Sequence, residues 1–232
     1  MIAFIFLVGL LVNPWLACQN PATDTSKVIE PARVTSTSEV DVPGKLVPVG
    51  SLPDELTECS GMVELSDDWY AGNNESGGKS DLYLFSLKSK YSTKTIKITN
   101  AENYDWEELA EDDEYVYIGD TGNNSGNRKS LHIYKVKKDD LKKKKEAEAE
   151  KIKFVYSAQK SFKPSNKNNF DCESLICVGD SLYLFTKNRG NQKTDVYRLP
   201  KSPGEYVAQH VGEYDADGLV TSADWRSNGA TN

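Results

Sequence analysis

A short acidic signature recurs four times along this chain, and an internal repeat constrains a fold more tightly than any single motif. The four copies are Glu58-Cys59-Ser60-Gly61-Met62, Asp105-Trp106-Glu107-Glu108-Leu109, Asp171-Cys172-Glu173-Ser174-Leu175 and Asp215-Ala216-Asp217-Gly218-Leu219. After each of the first three comes a short aromatic or β-branched run, at 69–74, 115–120 and 182–188. Runs of this composition read as strands. Clusters rich in Asn and Gly follow, at 73–78, 121–127 and 188–191. Both residue types tolerate the positive φ of tight turns. A third strand per unit is predicted at 82–87, 131–136 and 196–199, and a fourth at 93–99 and 152–156. The 131–136 run, Leu-His-Ile-Tyr-Lys-Val, alternates as a half-buried strand does.

The spacing selects among all-β architectures. Met62 and Leu109 are 47 residues apart, and Leu175 and Leu219 are 44 apart. Units of this length with four antiparallel strands are the mark of a β-propeller. A β-sandwich is the competing reading, but its strands do not recur as similar units. The middle spacing, Leu109 to Leu175, is 66 residues and holds an insertion at 137–151, Lys-Lys-Asp-Asp-Leu-Lys-Lys-Lys-Lys-Glu-Ala-Glu-Ala-Glu-Lys. That composition predicts a solvated helix or a mobile loop. Four signatures predict about four blades in this chain. A six-bladed propeller needs more residues than follow the leader, so the 46–232 domain is expected to be truncated at its C-terminal end.

The first residues, 1–18, read as a signal peptide: an apolar core too short to span a bilayer runs up to Leu16-Ala17-Cys18. Leu16-Ala17-Cys18 resembles the cleavage box of bacterial lipoproteins, which implies a lipidated Cys18 and an extracytoplasmic domain held to the membrane by a lipid anchor only. Residues 19–45, rich in Pro, Ser, Thr and acidic side chains, read as a flexible linker.

Net charge is −7, which disfavours nucleic acid as a partner. The cysteines besides Cys18 are Cys59, Cys172 and Cys177, an odd number that leaves no complete disulfide framework. Their spacing is not that of a zinc site. The two histidines, His132 and His210, sit far apart in strand-like segments, and no Gly-x-Ser-x-Gly elbow is present. The run from Asp120 to Asn127 has calcium-loop character but lacks the terminal Glu of an EF-hand, and it also reads as a hairpin turn.

Asp105-Trp-Glu-Glu-Leu-Ala, Tyr115-Val-Tyr-Ile-Gly-Asp-Thr-Gly-Asn-Asn, Phe170-Asp-Cys-Glu-Ser-Leu175 and Leu182-Tyr-Leu-Phe-Thr-Lys-Asn188 together resemble the blades of secreted or lipid-anchored β-propellers of Bacteroidetes. More distantly, the blade openings are similar to those of phytase-like, SdiA-regulated and gluconolactonase-like propellers. That resemblance implies six blades and, in several members, calcium or another divalent metal held by acidic residues at the inner strands.

Two functional readings follow. Carboxylates at one equivalent position of radially arranged blades converge. Glu58, Glu107, Glu173 and Asp217 are the candidate metal ligands, hard oxygen donors suited to Ca²⁺, and Asp105 and Asp171 are candidate catalytic bases. This arrangement fits a calcium-dependent hydrolase of esters, lactones or phosphoesters. The other reading is a module that binds a glycan, a small molecule or a protein, with Trp69, Trp106 and Trp225 available to stack on sugars.

Overall fold

Strands of six to eight residues cannot bury an apolar face alone, and they are collected here into four-stranded antiparallel meanders. The computed structural model describes residues 50–66, 68–89 and 93–225. The signal segment with Cys18, the 19–45 linker and the first residues of the 46–232 domain lie outside the described residues.

The first blade is β1 (Cys59–Ser66), β2 (Trp69–Asn74), β3 (Asp81–Ser86) and β4 (Thr93–Ile98). The second begins with β5 (Trp106–Glu111), β6 (Tyr115–Asp120) and β7 (Leu131–Lys137). After α1 (Lys138–Lys143) and β8 (Glu146–Ala147) it closes with β9 (Glu150–Tyr156). The third is β10 (Cys172–Val178), β11 (Ser181–Thr186), β12 (Thr194–Pro200) and β13 (Gly204–Tyr214). The innermost strand of the middle blade, β5, lies between β1 and β10. The architecture is that of an all-β, propeller-like fold.

Three of the four acidic signatures open a sheet. The fourth does not: among the described residues, 215–225 form no strand. Asp217 has φ 52°, and Leu219, which ends this copy of the motif, is exposed where Leu109 and Leu175 are buried. The described residues thus form three blades, each opened by one of the first three signatures.

The middle blade alternates between two cores. Val116 and Ile118 of β6, with Tyr134 and Val136 of β7, pack toward the first blade against Leu82, Ile96 and Trp106. Tyr117, Leu131 and Ile133, on the opposite faces of the same strands, pack toward the third blade against Phe154, Leu182 and Leu184. Period-two alternation with both faces buried explains why Tyr-Val-Tyr-Ile is apolar at every position. Trp106 is fully buried, its ring 6.0 Å from that of Tyr134 and its Nε1 donating to Glu102 O.

The lysine-rich insertion forms a largely solvated helix, α1, as its composition predicts, but it has a second role. It is a clasp between the first two blades. Leu141 of α1 is fully buried, and Ala147 and Ala149 join the same core. Lys94 Nζ donates to the carbonyls of Leu141 and Lys142, both at 3.0 Å, holding the end of α1 to β4. β8 then adds to β4 in parallel. The helical period hid one buried apolar residue among the charges. A matching clasp joins the other two blades: β13 pairs antiparallel with β12 and, over Gly204 to Ala208, parallel with β9. No helix among the described residues is long and apolar enough to cross a membrane.

Trp106→Ala empties the centre of the first inter-blade core and is expected to cost about 3–5 kcal/mol. A fall in the urea midpoint at unchanged slope checks it, and Trp69→Ala, on a partly buried ring at the same core, is expected to cost less.

Candidate metal centre

Each inner strand is bulged at its acidic signature. The pairing register slips between Cys59 and Gly61 in β1, between Trp106 and Leu109 in β5, and between Cys172 and Ser174 in β10. A bulge leaves a residue outside the ladder and re-aims its side chain. The residues so released are Ser60, the pair Glu107 and Glu108, and Glu173. The recurring acidic motif is thus the sequence of a bulge, and the blade arrangement brings the bulged side chains together.

Two groups of carboxylates form there, Glu75 with Asp105 and Glu107, and Glu107 with Asp171 and Glu173. Within each group the oxygens lie within 4.8 Å of one another. Glu107 belongs to both. Glu75 reaches the site on the turn after β2, which is tied down from both sides. Its N–H donates to Glu58 O (3.0 Å), and Asn103 Nδ2 donates to the carbonyls of Asn74 and Glu75. Asp120, fully buried and gripped by both Arg128 nitrogens (3.2 and 2.8 Å), accepts the Asp105 N–H and anchors the loop that follows β6. That loop carries Gly122 against the Asp105 and Glu107 carboxylates, where a Cβ would collide with both.

The two groups differ in how their charge is met. In the second, Lys187 Nζ donates to both Glu173 oxygens at 2.7 Å. Arg189 Nη2 donates to Asp171 (2.8 Å) and Glu173 (3.4 Å). Asp171 also accepts the Asn123 N–H at 2.7 Å. In the first group, Asp105 Oδ2 takes only the neutral Asn124 Nδ2 at 3.3 Å. Glu107 Oε2 takes the Ser60 hydroxyl at 3.4 Å, and Glu107 Oε1, buried, has no hydrogen-bond partner. A desolvated carboxylate oxygen without a donor carries a large cost unless a proton or a cation answers it.

Titration reflects this. Burial, with the neighbouring Glu173 and Asp105 charges, pushes the Glu107 carboxyl up to about 9. Asp105 is raised by burial and by Asp171. Glu108, also buried, is pushed up to about 8 by burial, against the pull of the Ser222 hydroxyl that donates to its Oε2 at 2.6 Å. Glu108 faces away from the carboxylate groups, into a cavity of about 310 Å³ lined by Met62, Tyr70, Leu175, Ser222 and Trp225. Burial likewise holds the Cys59 and Cys172 thiols up, at about 11 and about 12.

Of the residues predicted from the repeat, Glu107 and Glu173 lie in these groups, joined by Asp105 and Asp171. Glu58 is exposed and stands outside them, where it offers its carbonyl to the Glu75 turn. Asp217 is exposed on the irregular 215–225 stretch and also stands outside them. The period misses Glu75, because a turn residue has no place in a strand repeat, and it misses Lys187 and Arg189 for the same reason. Trp106 offers no stacking surface, since its ring is core.

The fit to a metal ion rests on the donor set and on one orphaned atom. All members are hard carboxylate oxygens, and Oε1 of the shared Glu107 has no hydrogen-bond partner. No protein-family profile matches this chain, and no curated protein aligns with it significantly.

In chelator, native stability is expected to fall as pH rises between about 4.5 and 9. The unfolded chain releases the Glu107 and Glu108 protons near 4.5, while the native state keeps them to about 9 and about 8. The native state therefore binds more protons across that window, and stability declines through it. Glu107→Gln is expected to flatten part of the slope, read as denaturation midpoints across a pH series.

Proposed function

We propose that this protein is an extracytoplasmic, lipid-anchored propeller module that binds its ligand through a divalent cation. The cation sits among Glu75, Asp105 and Glu107. The unpartnered, buried Glu107 Oε1 is the observation that carries this reading. A cation there answers the buried carboxylate oxygen of these groups that has no hydrogen-bond partner. It occupies the first group because the second already has an ammonium and a guanidinium in it. An all-oxygen donor set with no Cys or His favours calcium. The Leu16-Ala17-Cys18 box and the polar 19–45 segment support anchoring and reach.

The alternative is a calcium-dependent hydrolase of esters, lactones or phosphoesters, and it needs a carboxylate base that is not itself a ligand. Asp171 holds that position, but the Asn123 N–H and the Arg189 guanidinium occupy its two oxygens. Asp105 is grouped with the ligands. The binding reading asks for no such base.

Calcium at a hundredfold excess over its Kd is expected to stabilise the native chain by about 2.7 kcal/mol. The rise in melting temperature is expected to reverse with EGTA. Glu107→Gln and Gly122→Ala, the second by driving a methyl into the carboxylates, are both expected to abolish it. A melting temperature indifferent to calcium in the unaltered chain would sink the reading.

A further inference from the structure

We infer that the ligand taken at this centre is a neutral saccharide, coordinated through adjacent hydroxyls by the cation at Glu75, Asp105 and Glu107 and stacked on the ring of Tyr104. This rests on the cation reading and adds the class of ligand.

Tyr104 is 63 % exposed, and Tyr214 on β13, at 52 %, is the other exposed tyrosine among the described residues. Tyr104 immediately precedes Asp105 in sequence. A short run of contacts joins its ring to the carboxylates. The Arg128 guanidinium carbon sits 5.6 Å from the ring centroid, and Arg128 Nη1 donates to Gly122 O at 2.7 Å. Gly122 in turn lies against the Asp105 and Glu107 carboxylates. Arg128 is fixed by its paired bonds to Asp120, so the ring is braced from one side by an immobile group. An exposed aromatic ring held in place has lost little freedom left to lose on binding, and this is what an interaction platform needs.

The polar rim suits hydroxyl groups. Asn124 is exposed, with its Nδ2 on Asp105 and its Oδ1 taking a hydrogen bond from Arg189. Glu75, also exposed, stands on the other side of the same group. These are planar donors and acceptors, which set orientation in small-molecule sites. A calcium ion takes more oxygen ligands than three carboxylates supply singly, so positions remain for hydroxyls.

Charge selects against anionic ligands. Five carboxylates gather here, and Lys187, Arg189 and one divalent ion do not outnumber them. A phosphorylated or uronic-acid ligand adds to this negative excess, whereas a neutral sugar does not. The apolar ring face of Tyr104 then contacts the C–H face of the sugar.

The test uses the full chain with immobilised mannan, galactan and xylan as neutral probes and polygalacturonate as the acidic one, in calcium and in EGTA. Retention of at least one neutral polysaccharide, in calcium only, is expected. Tyr104→Ala is expected to weaken it about tenfold or more while leaving the calcium-induced rise in melting temperature unchanged. Three results overturn the inference while the cation reading stands: calcium stabilises the chain but no neutral polysaccharide is retained, Tyr104→Ala binds as the unaltered chain does, or polygalacturonate is preferred. Absence of any calcium stabilisation removes the cation reading and this inference with it.

Discussion

The middle blade, buried on both faces, is the constraint on which the rest of the structure depends. Its strands β6 and β7 send alternate side chains into two different cores, one shared with each neighbour. A one-residue slip would exchange Tyr117 with Val116 and Ile118 and misfit both cores at once, so the register is specified twice. That rigidity allows β5 to carry a bulge at Glu107 and Glu108 without the ladder re-pairing around it. The bulge costs ladder hydrogen bonds. The Asn73 side chain, donating to Trp106 O from the first blade, recovers part of that loss.

The carboxylates then set an electrostatic problem that the fold solves unevenly. Like charges this close cannot all ionise in a poorly hydrated site. Around Asp171 and Glu173 the solution is covalent to the chain: Lys187 and Arg189 arrive on the turn after β11 and supply fixed positive charge. Around Glu107 no such side chain arrives, and a proton takes its place when nothing else does. A buried ion pair adds little net stability for the desolvation it needs, but removing one partner is severe, so the paired half of the cluster is structural in effect. The unpaired half could hold a metal ion where the paired half holds Lys187 and Arg189. The same five side chains thus divide into a half braced by fixed positive charge and a half without it.

How much of this was legible in the sequence depends on whether period or contact governs each part. Strand positions follow from alternation and turn clusters, and the strands predicted at 69–74 and 115–120 coincide with β2 and β6. Glu107 and Glu173 were legible because they occupy one repeat position on strands that become neighbours. Glu58 was drawn in as the acidic residue of its signature. It lies two residues before the bulge, in the place of Asp105 and Asp171, and Ser60 holds the bulged position in its blade. Asp217 matches the motif, but its stretch has no paired strand to be bulged. Glu75, Lys187, Arg189 and Gly122 sit on turns, where the partner is chosen by three-dimensional proximity and no period marks them. The lysine run at 137–151 reads as solvated by composition, yet the burial of Leu141 makes it a clasp.

The bulge in β5 also explains why two consecutive glutamates have opposite surroundings. In a regular strand successive side chains point to opposite faces, so one of Glu107 and Glu108 would face a neighbouring blade's apolar core. The register slip leaves both residues outside the ladder. Glu107 enters the carboxylate groups, and Glu108 enters the cavity beneath Ser222 and Trp225. The equivalent of Glu108 is Gly61 in β1 and Ser174 in β10, residues too small to reach that cavity. At Gly61 the space is already taken, because an added Cβ would meet the backbone of Glu108 and Leu109. The first blade gives up a side chain so that β5 can approach closely, and β5 uses that approach to hold Ser222. One irregular position in one strand therefore supplies Glu107 to the carboxylate groups and Glu108 to Ser222. A substitution that removed the bulge would disturb both at once, although they share no side chain.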